Sequence, residues 1–314
     1  MDEVTAAEVT IALPKAAGRW RARPRVKEMA LALVLLGPSI ALFSTFAFYP
    51  LVKTFYLGFF RSDPFGLSSN YVGLDQYIDV LRSNGFHRSL LTTGLFALFT
   101  VPTGLVLGLG LALLAHQKLR GIVVYRTIFS STVATSVAVA SVMWLTLLNP
   151  SIGIINYGLK ESGFEAVNWL GDPDWALPAV SLTTVWLNLG FTFIVILAGL
   201  QTIPEELHES AKIDGAGAVS RLFNVTLPML SPTLLFAVVV LTINAFQSFG
   251  QIDILTQGGP LDRTNVLVYS IYTEGFRNFN EGVAAAQGVA LFLIVLVLTL
   301  IQFRFLERRV FYGN

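Results

Sequence analysis

Cysteine is absent from this chain, which excludes disulfides, thiolate catalysis and any cysteine-ligated metal. Histidine is scarce: His87, His116 and His208 are the 3 present, and their wide spacing forms no metal-site pattern. Charge is also sparse, at 13% of residues against 54% hydrophobic. No G-x-x-x-x-G-K-[ST] run occurs, so the chain carries no phosphate loop for ATP. No Ser/His/Asp set or carboxylate pair gathers at one depth of the apolar segments, so no catalytic residues are expected. Acids are nearly missing from those segments, which removes the Asp/Glu relay of a proton-coupled carrier. Asp253, at the end of one apolar run, is the nearest exception, and it reads as a residue of a wet loop.

What the chain does have is apolar length. Mean hydropathy is +0.65, and the apolar runs are continuous rather than alternating, which argues against a β-barrel. Residues 1–28 form a polar tail with Lys15, Arg19, Arg21, Arg23, Arg25 and Lys27 crowding its end. Residues 29–314 form one membrane domain, with spans expected at 29–52, 90–115, 122–148, 177–200, 233–254 and 283–305. Each is close to the ~20 residues that a bilayer requires. The first is too long for a signal-peptide core, and Pro38 or Pro50 is expected to kink or break it. The fold class is therefore all-α, a polytopic membrane protein of six transmembrane helices. With both termini inside, the 21 basic residues divide two to one in favour of the cytoplasmic side. Lys118, Arg120, Arg126, Lys212, Arg221, Arg304, Arg308 and Arg309 join the tail there, so both termini and the loop 203–232 are placed in the cytoplasm. The basic tail abuts a span, so it is read as a topology signal rather than a nucleic-acid site.

The outer loops fall at about 60–89, 149–176 and 255–282. Phe59, Phe60, Phe65, Tyr71, Tyr77, Trp169 and Trp175 lie in or beside the first two and suit interfacial anchoring. Asn149-Pro150 and Gly171-Asp172-Pro173 are turn signals.

The loop 203–232 is the longest polar interruption in the second half of the chain. Pro204 suits a first helical turn, and Glu205 and Glu206 suit the positive end of a helix dipole. Ile203, Leu207 and Ala211 form a weakly apolar edge. Asp214-Gly215 stops the helix, because glycine accepts the left-handed conformation of a helix end. A second amphipathic run (Ala218, Leu222, Phe223, Val225) follows, and Pro228 and Pro232 are expected to close it. Such a pair is either an interfacial helix or a shape that another protein can grip.

Polar side chains also cluster inside the apolar segments. Asn244, Gln247, Ser248 and Gln251 recur at spacings of three and four, which puts them on one face of span 5. Span 4 carries Thr184, Asn188 and Thr192 in a similar stripe. Amides facing lipid are costly, so these faces point into the bundle. They either line a path or bond neighbouring helices. The small residues of span 3 (Ser130, Ser131, Thr132, Ala134, Thr135, Ser136, Ala138, Ala140) read as a close-packing face.

The order Glu209-Ser210-Ala211, Asp214-Gly215-Ala216, Leu227-Pro228 resembles the Glu-Ala-Ala…Gly…Leu-Pro loop of bacterial ATP-binding-cassette importer permeases. Ser210 stands where that family usually has alanine, another small residue. After span 5, Asp253 and Thr256-Gln257-Gly258-Gly259-Pro260 look like the Thr-x-Gly-Gly-Pro segment of the sugar-type members. Tyr272-Thr273-Glu274-Gly275-Phe276, Ala285-Ala286-Gln287 and Gln302-Phe303-Arg304-Phe305-Leu306-Glu307 resemble the A-type permeases of glycerol-3-phosphate importers. The resemblance covers the chain from about Lys27 onward.

It implies a non-catalytic permease subunit of the bacterial plasma (inner) membrane. In that family the loop is a coupling helix between spans 4 and 5 that docks into an ATPase subunit. That assigns docking to Glu209, Ser210, Ala211, Asp214, Gly215, Leu227 and Pro228. The implied partners are a second permease, two ATPase subunits, an extracytoplasmic substrate-binding protein, the lipid bilayer and a small-molecule substrate. The chain itself would need no cofactor, and the ATPase subunits would hold ATP and Mg. The mechanism implied is alternating access, with Asn188, Asn244, Gln247, Ser248 and Gln251 as candidate path residues. The cargo would be glycerol-3-phosphate or a glycerophosphodiester. The spans offer no Arg or Lys near mid-membrane, so amides, hydroxyls and the partner subunit would hold a phosphate weakly. A neutral-sugar importer subunit, an ion-coupled secondary carrier and a membrane-embedded enzyme are the competing readings. The missing acids count against the second, and the missing catalytic set against the third.

Overall fold

The computed structural model describes residues 26–62, 69–117 and 120–306. Lys15, Arg19, Arg21, Arg23, Arg25, Phe65, Lys118, Arg308 and Arg309 lie outside them. The chain divides into two units, Met1–Val52 and Lys53–Asn314.

The first unit holds α1 (Val26–Phe43), a π turn (Ser44–Phe48) and the start of α2 (Tyr49–Leu57). Pro38 lies inside α1, and the helical path continues through both prolines. The expected break is replaced by the π turn, which ends two residues before Pro50. Proline lacks an N–H and crowds the carbonyl of the preceding turn, and a widened turn relieves that crowding. Leu33, Val34 and Phe46 are exposed, as suits a lipid-facing segment.

The second unit starts with the rest of α2, followed by a short antiparallel strand pair, β1 (Phe60–Ser62) and β2 (Ser69–Tyr71). Then come α3 (Asp75–Arg82) and α4 (Asn84–His116). The broken pair α5 (Ile122–Ser130) and α6 (Val137–Leu147) precedes α7 (Ile154–Glu161) and α8 (Ala176–Gln201). Next are α9 (Glu205–Ile213), α10 (Ala218–Arg221), α11 (Leu227–Phe246) and α12 (Gly250–Leu255). Last come α13 (Leu267–Tyr272) and α14 (Glu281–Leu306). Among the described residues, 5 helices are long and apolar enough to cross a membrane, or 6 if the bent pair counts as one span.

The bundle is assembled on α4 and α8. Apolar periodicity cannot find the buried face of α4, because the helix is apolar all round. Small residues mostly define it instead: Ser89, Thr93, Thr100, Gly104, Gly108, Ala112 and Ala115 are buried along one stripe, with Phe96 a large member among them. A Cβ at Gly108 would stand 2.5 Å from the Thr192 methyl, so the missing side chain is what lets the two backbones meet. The polar contacts are local or precise. Thr93 accepts from the Leu267 amide at 2.8 Å, tying α13 to α4. Arg126 donates to the Ala115 carbonyl from Nε at 3.1 Å and from Nη2 at 2.8 Å, covering a helix end that would otherwise lack partners. Gln302 donates to Thr242 at 2.8 Å, joining α14 to α11.

Two spans depart from the sequence reading. The segment 122–148 is not one straight helix: α5 and α6 meet at 105°. A 3-10 turn, Ser131–Ala134, ends α5, and Thr135 and Ser136 are extended. Ser136 then caps α6 by accepting from the Val139 amide at 3.3 Å. Serine and threonine hydroxyls compete with the helical ladder, so a run of them can release it. The small residues therefore make a corner rather than a packing face; of the eight, only Thr132 and Ala140 are buried.

The second departure concerns Pro228 and Pro232, which do not close the run that starts at Ala218. The helix continues from Ala218 to Phe246. A π turn, Leu222–Thr226, again ends two residues before a proline. The anchoring aromatics pair among themselves: Phe59 meets Tyr77 at 5.3 Å, Phe60 meets Tyr71 at 5.4 Å, and Trp169 meets Trp175 at 5.2 Å.

Candidate functional site

Two places gather the sequence-selected residues. The first is α9 and the turn behind it. Pro204 is the residue before the helix (φ −58°, ψ 134°) rather than part of its first turn; its carbonyl accepts from the Leu207 amide at 3.3 Å. At the far end, the Ala216 amide bonds to the Ala211 carbonyl at 2.9 Å, and the Gly215 amide to Lys212 at 3.0 Å. These two bonds form a Schellman motif, which requires a left-handed residue at Gly215. Its φ is +78°, and a Cβ there would meet nothing within 4 Å. The glycine is thus needed for its backbone alone.

Ile203 packs against the buried cluster at this end of the bundle, and Ala211 is half-buried. Glu209, Ser210, Asp214 and Gly215 are exposed. The Ser210 hydroxyl donates to the Glu206 carbonyl at 2.7 Å, so its departure from alanine adds nothing to the outer surface. Ile213 is 87% exposed, with Val219 and Phe223 also bare nearby in sequence. Sequence reasoning did not single out Ile213 or Val219; two apolar residues in a polar stretch were the available signal. Leu227 and Pro228 do not share this surface. Both are half-buried in the helix that follows.

The second place is a cavity of about 360 Å³ lined by Asn188, Asn244, Gln247, Ser248 and Gln251, with Val137, Phe249 and Gly250. All five candidate path residues line it, but not as one helix face. Helix α11 stops at Phe246, with Gln247 as its cap, and α12 restarts at Gly250. The break leaves Gln251 on a separate short helix from Asn244, with both still lining the cavity. It also meets the corner of the α5–α6 pair, since a Cβ at Gly250 would lie 2.8 Å from the Val137 side chain.

Several of these amides bond neighbouring or local groups. Asn244 donates to Asn188 at 3.5 Å across the α8–α11 contact, and Asn188 donates to the Thr184 carbonyl at 3.0 Å. Thr184 and Thr192 donate to carbonyls of their own helix. Ser248 donates to the Asn244 carbonyl at 3.1 Å. Gln247 is exposed and projects at the break, whereas Ser248 and Gln251 are buried. The lining is uncharged and offers amide donors and acceptors.

An aromatic cluster adjoins the cavity through Phe249. Its ring stacks on Tyr269 at 5.9 Å and meets Tyr272 edge-on at 4.9 Å. The Arg277 guanidinium lies over both tyrosines, at 5.7 and 5.4 Å from the ring centres. Arg277 also pairs with Asp253 at 3.6 Å. Asp253 is therefore not a loop residue: it sits in α12 with a partner. Burial raises the Tyr269 phenol above its ordinary value, against a lowering by the Arg277 charge. Among the described residues, no group of three His, Cys, Asp or Glu could hold a metal ion.

The family described as binding-protein-dependent transport system inner membrane component matches residues 104–312, well over half of the 314. The chain belongs to this family. The sn-glycerol-3-phosphate transport system permease protein UgpA of Agrobacterium fabrum is 40% identical over 286 residues, covering 90% of this chain and 97% of that protein. UgpA of Yersinia enterocolitica is 39% identical over 293 residues, covering 92% and 98%. UgpA of Rhizobium meliloti is 39% identical over 286 residues, covering 90% and 97%.

Among solved structures, a bacterial ABC transporter that imports the acidic polysaccharide alginate shares the fold. Its TM-score is 0.78 at 24% identity, over 90% of this chain and 97% of that one. The alginate transporter in complex with its pentasaccharide-bound periplasmic protein gives a TM-score of 0.78 at 25% identity, over 90% and 96%. The family resemblance read from residues 209–228, 253–260 and the C-terminal segments is borne out. The chain is an inner-membrane component of an importer.

Proposed function

We propose that this chain is one of two permeases in an ATP-driven importer whose cargo is sn-glycerol-3-phosphate or a related glycerophosphodiester. The observation that carries the reading is 40% identity across 97% of a permease described for that substrate. The exposed α9 supports the coupling half. It buries no residue, follows Ile203, which packs on the bundle, and is ended by a glycine turn, so it offers a partner a handle next to the bundle. Glu209, Ser210, Ala211, Asp214 and Gly215 form that handle, and Leu227 and Pro228 transmit its motion into α11.

The partners are the second permease, two ATPase subunits that hold ATP and Mg, and an extracytoplasmic binding protein. Both termini and α9 lie in the cytoplasm. ATP closes the ATPase pair, the docked helices follow, and the cavity opens to the loaded binding protein. Asn188, Asn244, Gln247, Ser248 and Gln251 line the path. The uncharged lining of the cavity favours a second reading, a neutral sugar as cargo.

The division of labour is tested on the isolated subunit. Purified alone in lipid, the chain is expected to hydrolyse no ATP above background and to import nothing. Adding the second permease, the ATPase and the loaded binding protein is expected to produce both activities. Hydrolysis by the single chain would contradict the reading.

A further inference from the structure

We propose that Arg277, linked to the polar cavity through Tyr272 and Phe249, is an anion-selecting residue that takes the phosphate of the cargo in exchange for Asp253. The inference rests on the reading above that the cargo is a glycerol phosphate. It answers a deficit in that reading, because the cavity itself contains no cation.

Arg277 is built for exchange rather than for a fixed ion pair. Its contact with Asp253 is 3.6 Å long, and the two side chains are 44% and 33% exposed. A tight charge-assisted bond measures about 2.7–2.9 Å, so Asp253 holds the guanidinium only loosely. The guanidinium lies within cation–π range of both tyrosine rings, which confine it. A planar fork reads phosphate oxygens in pairs, which an ammonium group does not. A phosphate monoester carries about −1.5 to −2 charge near neutral pH, so it competes well against a single carboxylate.

The position also fits. Phe249 is at once a wall of the cavity and the partner of both tyrosines. Asp253 and Gln251 share α12. The route from the cavity to a phosphate on Arg277 therefore runs past Phe249 and Tyr272. Asp253 returns to Arg277 when the cargo leaves, which keeps the anion from being trapped.

The test uses the complete complex in proteoliposomes, with binding protein at saturation. Two compounds are compared: sn-glycerol-3-phosphate, a monoester, and glycerophosphocholine, whose phosphodiester bears one negative charge. Arg277→Gln is expected to slow uptake of the monoester about tenfold, the equivalent of one charge-assisted hydrogen bond. Uptake of the diester should fall clearly less. Arg277→Lys should keep the charge, lose the fork and fall between. The partner subunits should co-purify with both variants in wild-type amounts.

Equal loss of both compounds in both variants would overturn the proposal in favour of a packing role. Unchanged uptake of the monoester by Arg277→Gln would overturn it as well. Import of neither compound by the wild-type complex would remove the assigned cargo class itself, and that arm separates the two failures.

Discussion

Replacing Gly215 by valine, or Glu209 by alanine, is expected to abolish the stimulation of ATP hydrolysis by loaded binding protein. The two substitutions act through different physics. Gly215 has φ +78° with open space around it, so a valine there clashes with no neighbour. It instead strains the backbone by about 1–3 kcal/mol, because branched L-residues resist the left-handed region. The cheapest relief is to unwind the turn, which releases the bonds from Ala216 to Ala211 and from Gly215 to Lys212. Helix α9 then points elsewhere.

Glu209 is an exposed carboxylate on the bare side of the same helix. A charge-assisted hydrogen bond to the ATPase groove contributes about 1.5–3 kcal/mol. Its loss weakens docking by roughly one to two orders of magnitude, at about 1.4 kcal/mol per tenfold. Neither change touches the buried bundle, so insertion and association with the second permease should persist. The assay is hydrolysis by the reconstituted complex with and without loaded binding protein, alongside co-purification of the ATPase. Full stimulation in both variants would reduce α9 to an interfacial helix.

Gln247→Leu and Asn244→Leu are expected to lower substrate uptake about tenfold while the complex still assembles. Gln247 is the cleaner probe. It projects at the break between α11 and α12, is exposed, and lines the cavity; leucine of similar size removes one amide contact to passing cargo. Asn244 also reaches Asn188 at 3.5 Å. That bond is long and exchanges readily for cargo, so its loss should affect uptake more than packing. Uptake of labelled substrate and co-purification of partners are the two readouts. Normal uptake by both variants, or failure of both to assemble, would assign these amides to helix contacts alone.

The parts of this structure that were legible in the sequence are those where one residue type is required. Asp214-Gly215 announced a helix end, because little besides glycine accepts a positive φ. The apolar runs announced spans, because only helices of that length satisfy their backbone in lipid. The breaks were hidden for the opposite reason. Thr135-Ser136 and Gln247-Ser248 interrupt apolar runs without a proline or a paired glycine, and their side chains suit a helix in membranes as well as they suit a corner. Ser136 is a good N-cap, but it sits in a run of serines and threonines that diluted the signal.

The prolines misled in the other direction. Pro50 and Pro228 each follow a π turn and leave the helix continuous, since the widened turn relieves the crowding, and Pro232 frees the Pro228 carbonyl for a local hydroxyl. The Pro228 carbonyl accepts from Ser231 at 2.6 Å. The polar cavity was found through the right residues by the wrong geometry: a stripe on one face proved to be two helix ends meeting. The Arg277–Asp253 pair was not legible, because folding rather than spacing brings residues of separate elements together.

The most direct test of the central claim is uptake of labelled sn-glycerol-3-phosphate by proteoliposomes containing the whole complex, with the binding protein outside. ATP enclosed within the vesicles is compared with an imposed proton or sodium gradient. The account predicts accumulation with enclosed ATP, none with either gradient alone, and none when this chain is omitted. Gradient-driven uptake by this chain without the ATPase would contradict it and make the protein a secondary carrier.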